Sequence, residues 1–251
     1  MGNSLSNSTV ARMVALLGVL LLSLPVRAAD DKDDKEKDKD KEKTVAELTE
    51  KHTVAEGLVT LFQDEKSGEL KLSLPTALLD AELIYFAQAT DGVVQTGYFR
   101  GAYLANNVIS FQRRFNRIDI VKHNTSYYFD PDNALARASA ANISNAIVAS
   151  EKILAEDEGQ VLINADKLFT TEALLQVKPS PNPDGNPRAF KLGSLSADKS
   201  RVLNLRSYPK NTDVEVELVY SNSAPTGRTG ADITDDRHVA VRIVHSIIAM
   251  P

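Results

Sequence analysis

Few residues in this sequence are placed to do chemistry. The four histidines, His52, His123, His238 and His245, are the first candidates for metal binding or proton transfer, yet no two stand at the spacing that puts ligands on one helix face. His245 shares strand parity with Val239, Val241, Ile243 and Ile247, which points to a hydrogen-bonded core or interface histidine. The densest polar cluster is Asp232, Asp235, Asp236 and His238. A calcium loop needs more oxygen ligands at regular spacing. Asp235, Asp236 and His238 are therefore only secondary metal candidates, beside the reading of a polar turn that enters a strand. Ser196-Ala197-Asp198-Lys199 spells Ser-x-x-Lys, in which a lysine could take the serine proton for acyl transfer, but the companion Ser-Asp-Asn and Lys-Thr-Gly motifs are missing. With no cysteine there is neither a disulfide framework nor a thiolate metal site. The sequence assigns no catalytic residue and no cofactor.

The amino terminus speaks of compartment. Arg12 precedes an apolar run from Met13 to Val26, and small residues close it at Ala28 and Ala29, which is the order of a secretory signal with cleavage after Ala28. The run is shorter than the roughly 20 apolar residues that cross a bilayer, so no stable membrane span is expected in the mature chain. A bacterial periplasmic or secreted location follows. Residues 30–43 alternate eight acidic residues with six lysines; such a stretch has no apolar surface to offset ordering entropy and reads as a disordered tether, residues 29–43 in all. The net charge of −5 and the lack of a basic stripe give no reason to expect nucleic acid as a partner.

The body, residues 44–251, alternates like strands rather than helices. Thr44 to Val54 has helical character. From Leu58 the period becomes two, with Leu70, Leu72 and Leu74 set against Lys71 and Ser73 across a turn from Leu58–Gln63. Leu83-Ile84-Tyr85-Phe86-Ala87 suits a central strand buried on both faces. Residues 108–113 and 117–122 form a hairpin, because apolar parity changes across Asn116. Ala134–Ala141 and Ala165–Leu175 read as short helices, and the proline-rich loop at 179–188 interrupts the pattern. Val214, Val216, Leu218 and Tyr220, and lastly residues 239–248, return to strand. The fold class is mainly β, an antiparallel and sandwich-like body with a few short helices.

Several blocks are also quotable as a pattern. They are Gly57-Leu58-Val59 before a hairpin; Phe111-Gln112-Arg113 and Ile118-Asp119-Ile120 around an Asn-Arg turn; Val161-Leu162-Ile163-Asn164 before Asp166-Lys167-Leu168-Phe169; and the stretch 200–220, through Arg206-Ser207-Tyr208-Pro209. With these blocks the chain from Gly57 onward resembles the domain of unknown function that precedes the catalytic domain in secreted bacterial zinc-dependent metalloproteases. The resemblance implies a zinc enzyme whose His-Glu-x-x-His helix lies further along, where two histidines hold the metal and the glutamate activates water. This sequence contains no such motif. The resemblance therefore implies a non-catalytic accessory or pro-region-like domain, inactive alone, with zinc only in a downstream domain. The other reading is a stand-alone envelope module that binds protein or glycan. If the chain is truncated before the zinc site, Val239, Val241, Ile243 and Ile247 should form an apolar interface for the downstream metallopeptidase domain or for self-association.

Overall fold

A computed structural model describes residues 43–130, 132, 133, 135, 136, 138, 141–179, 185, 189–225 and 230–251. The expected signal segment, nearly all of the charged tether and most of the alanine-rich and proline-rich stretches lie outside these residues.

Alternation of apolar side chains with polar ones builds twelve strands. They are β1 (His52–Ala55), β2 (Thr60–Asp64), β3 (Leu70–Pro75), β4 (Leu83–Asp91), β5 (Tyr103–Arg114), β6 (Arg117–Lys122), β7 (Ala146–Asp157), β8 (Gln160–Asn164), β9 (Ser194–Leu195), β10 (Arg201–Tyr208), β11 (Asn211–Ser221) and β12 (His238–Ala249). Among the described residues are the α-helices α1 (Val45–Thr49) and α2 (Asp166–Thr170). All of these strands join one sheet in the order β1-β2-β3-β8-β7-β6-β5-β4-β12-β11-β10, with β9 beside β11. Every pairing between them is antiparallel. The mainly β, antiparallel class expected from the sequence is what the chain adopts.

The order resolves into three meanders, β1–β3, β4–β8 and β10–β12. They are joined by β3 against β8 and by β4 against β12. Bulges at Ile120/Val121, Ile153/Ala155, Val202/Asn204 and Arg242/Ile243 bend the strands. The sheet curls until inner-face residues from both ends share one core: Leu61 and Leu72 from one end, Val216 and Val241 from the other, with Phe111 and Ile120 between. Where the ends meet, the Leu58 N–H donates to the Tyr208 carbonyl at 2.7 Å, and the Ser207 hydroxyl donates to the Val59 carbonyl at 2.8 Å.

Several local expectations change under tertiary pairing. Helix α1 stops at Thr49, because His52–Ala55 gains backbone partners in β2. A capping box of Thr44 and Glu47 starts it. Its Val45 packs with Ala155 and Leu162, so β8 is covered on both faces, as β4 is not. In β4 only Leu83, Tyr85, Ala87 and Ala89 are buried; Ile84, Phe86 and Gln88 on the other face stay half-exposed. Helix α2 is shorter than the expected 165–175 and presses Leu168 and Phe169 into the core.

The outer face of β11 carries acids, and each is used. Asp213 accepts from Ser246 at 2.7 Å, and Glu215 from Thr90 at 2.9 Å. Glu217 lies between Arg201 (2.6 Å) and Arg242 (2.9 Å). These cross-strand pairs tie β10, β11, β12 and β4 together on the side away from the core.

Candidate functional site

The residues singled out by type and spacing do not come together. Asp235 is consumed locally: its carboxylate accepts from the Arg237 side chain at 3.0 and 2.7 Å and from the Arg237 N–H at 3.0 Å, which holds it down to about 2. The Nδ1 of His238 lies 3.2 Å from the Ser221 hydroxyl and 3.4 Å from the Lys199 ammonium, a cation where a metal would need a vacant lone pair. Among the described residues, no three histidines or acids gather as a metal-ligand set. Ser196 donates to Asp198 at 2.7 Å in a turn between β9 and β10, while the Lys199 amine is directed at His238.

The expected interface also moves inward. Val239, Val241, Ile243 and Ile247 are core residues, and β12 is hydrogen-bonded on one side to β11 and on the other to β4. The expectation of an exposed apolar face there treated the last strand in sequence as an edge strand. In the sheet it lies well inside, next to a strand that precedes it by more than half the chain.

His245, on the same inward parity, is the most unusual group in that core. Its Nδ1 lies 2.7 Å from the Tyr85 hydroxyl, its ring stacks on Tyr85 with centroids 6.0 Å apart, and Phe169 meets it edge-on at 5.6 Å. Its Nε2 is buried without a hydrogen-bond partner among the described residues. Burial pushes the imidazole down to about 4 and raises the Tyr85 phenol. Toward the other end of β11, the Tyr220 hydroxyl donates to Glu172 at 2.7 Å, and the same carboxylate oxygen accepts the Val177 and Lys178 N–H groups. That loop is pinned over the core by one side chain.

A second histidine defines an open cleft of about 410 Å³. Strand β6 ends at Lys122, and the connection to β7 carries His123, Asn124, Tyr127, Tyr128 and Phe129 to its wall, where Asn145 returns. Tyr127 and Phe129 stack with planes 10° apart, and Tyr128 is 84% exposed. At the wall, Asn145 Oδ1 accepts the Asn124 N–H at 3.0 Å, which turns its Nδ2 toward His123 Nδ1 at 3.5 Å. On the other side of the ring, Nε2 lies 2.8 Å from the Ser110 hydroxyl. Gln112 Nε2 donates to that hydroxyl, at 3.2 Å. The Ser110–His123 contact orders the cleft wall. Sequence reading missed this cleft because its residues sit in an irregular connection; the aromatic run Tyr127-Tyr128-Phe129 is the signal that could have marked it.

Fold and cleft together define a β-rich domain with an aromatic and amide-lined surface site. A family described as Domain of unknown function (DUF5117) matches residues 101–251. The match covers more than half of the sequence, and the chain belongs to this family. No curated protein and no solved structure matches the chain. The structural unit exceeds the matched segment, since β4 lies between β5 and β12, both of which are inside the match.

Proposed function

We propose that this chain is a non-catalytic accessory or pro-region-like domain of an exported zinc-dependent metallopeptidase, working in the bacterial periplasm or outside the cell by packing against a downstream catalytic domain. The observation that carries this reading is where two of the matching blocks lie. Gly57-Leu58-Val59 and Arg206-Ser207-Tyr208 meet where the two ends of the sheet close, through the Leu58 to Tyr208 and Ser207 to Val59 hydrogen bonds. The residues that carry the resemblance thus specify a frame and not a reactive centre. Purified from Ala29 onward and dialysed, the chain is expected to hold no stoichiometric zinc and to cleave no peptide substrate. One tightly held zinc per chain, lost on Asp236→Ala or His238→Ala, would overturn this. The positive arm is genetic: the reading frame past codon 251 should encode a His-Glu-x-x-His helix.

The cleft at His123 favours a second reading, a module that binds envelope glycans. Flat rings at Tyr127, Tyr128 and Phe129 beside the amides of Asn124 and Asn145 offer an apolar platform with hydrogen-bonding groups at its edge, as a pyranose ring requires. Tyr128→Ala, at a side chain too exposed to matter for folding, should weaken binding of peptidoglycan fragments about tenfold in calorimetry. Failure of the wild type to bind any fragment would sink this reading.

A further inference from the structure

The β5–β6 hairpin ends in Arg113-Arg114-Phe115-Asn116-Arg117, and its tip breaks two rules of stable hairpins. Phe115 occupies the left-handed region, φ 54°, where glycine or asparagine is normally found, and its ring is 96% exposed. Beneath it, Arg114 stands opposite Arg117, and Arg117 stands opposite Lys152 on β7. Three like charges in one cross-strand row oppose pairing. A strained aromatic and a repelling cation row at the same tip mark a surface kept for contact.

We propose that this tip is a peripheral docking site for an anionic lipid bilayer. Phe115 enters the boundary of the acyl chains, helped by Leu154, the bulge residue beside the tip, which is 39% exposed. Arg114, Arg117 and Lys152 then lie at the level of the lipid phosphates. The cation row favours lipid phosphates over an apolar protein pocket, and both carbonyls of the tip already have donors. The Phe115 carbonyl accepts from Arg113 Nε at 3.2 Å, and the Asn116 carbonyl accepts from the Ile153 N–H at 2.9 Å. Apolar surroundings require this of any backbone that enters them. Arg113 itself is held back by a bidentate pair with Glu156, at 2.6 and 2.7 Å, and acts as a brace. Arg114 reaches Asp119 only at 3.5 Å, while Arg117 is bound to the neutral Ser150. The three cations of the row outnumber Asp119, the carboxylate that Arg114 reaches and that accepts the Ser150 hydroxyl. One aromatic side chain and three cations give reversible attachment that weakens with salt.

Co-sedimentation with phosphatidylcholine vesicles, with and without phosphatidylglycerol, tests the proposal on the chain from Ala29. The wild type should pellet with the anionic vesicles and stay in solution with the neutral ones. Phe115→Asn, which suits the left-handed position better and should fold at least as stably, should lose about tenfold in apparent affinity. A double Arg117→Ser, Lys152→Ser variant should lose the preference for anionic lipid and keep its thermal midpoint. A wild type that ignores both vesicles, or a Phe115→Asn variant that pellets like the wild type, would overturn the proposal and leave the ring to a protein pocket. These outcomes do not depend on whether a metallopeptidase domain follows.

Discussion

Lowering the pH from neutrality to about 4 is expected to cost the domain on the order of 3 kcal/mol of folding stability through His245 alone. Its imidazole stays neutral in the fold down to about 4, whereas in the unfolded chain it takes a proton near its ordinary value of 6.5. Between those two values the unfolded state binds more protons. Stability is therefore fully present above about 6.5 and drains away as pH falls toward 4. Other groups act mainly below this window: Asp64 and Asp235 are held at about 2 by local hydrogen bonds. Asp166, raised by burial, works in the opposite direction at the acid end. Urea midpoints measured across the window on the wild type and on a Tyr85→Phe, His245→Leu variant isolate the effect. The double change removes both ends of the Tyr85–His245 bond, so no hydroxyl is stranded. Its stability should fall much less steeply between pH 6.5 and 4, and equal slopes for the two proteins would show that His245 is not the sensor.

Gly57→Ala should destabilise the domain by about 2 kcal/mol or more. A β-carbon there would lie 2.6 Å from the Ser207 carbonyl carbon, and closer still to the Ser207 Oγ and the Tyr208 nitrogen. Backbone cannot turn aside as a flexible side chain can, so the ends of the sheet must part and the Leu58 to Tyr208 bond must stretch. Gly68→Ala is the useful comparison. That glycine has φ 75° but open space around it, so its substitution bears conformational strain without a clash. Denaturant midpoints should rank wild type above Gly68→Ala, and Gly68→Ala above Gly57→Ala. A Gly57→Ala protein as stable as Gly68→Ala would mean that the closure is loose.

Periodicity made individual strands legible. Leu70, Leu72 and Leu74, the hairpin around Asn116, and Val214 to Tyr220 all announce which face is inward, since a strand's side-chain period does not depend on its partner. Partner choice is another matter. Nothing in Leu83–Asp91 or in His238–Ala249 declares that the two will pair, and missing that pairing turned four core residues into an expected interface. His245 was legible as an inward histidine through its parity with Val241 and Ile243, yet its bond to Tyr85 depends on the same distant pairing. Helix α1 came out shorter than its propensity suggests because residues 52–55 found a strand to join. The cleft and the hairpin tip escaped for a different reason: Tyr127 to Phe129 lie in an irregular connection, and the left-handed φ of Phe115 leaves no trace in hydrophobic pattern.

The three-meander plan also sets an order of events. Hairpins such as β5–β6 and β7–β8, which close over two residues, can zip as soon as they are made, and the meanders β4–β8 and β10–β12 can each form from neighbours in the chain. Residue 83 cannot find residue 249 in the same way. That junction must wait until everything from β4 to β12 has been made and must meet the entropy of a very large loop. Until then β4 and β12 each present an open, apolar edge to any other chain nearby. The time spent in that half-assembled form, more than the final stability, will govern how much of this protein reaches its folded state and how much is lost to aggregation.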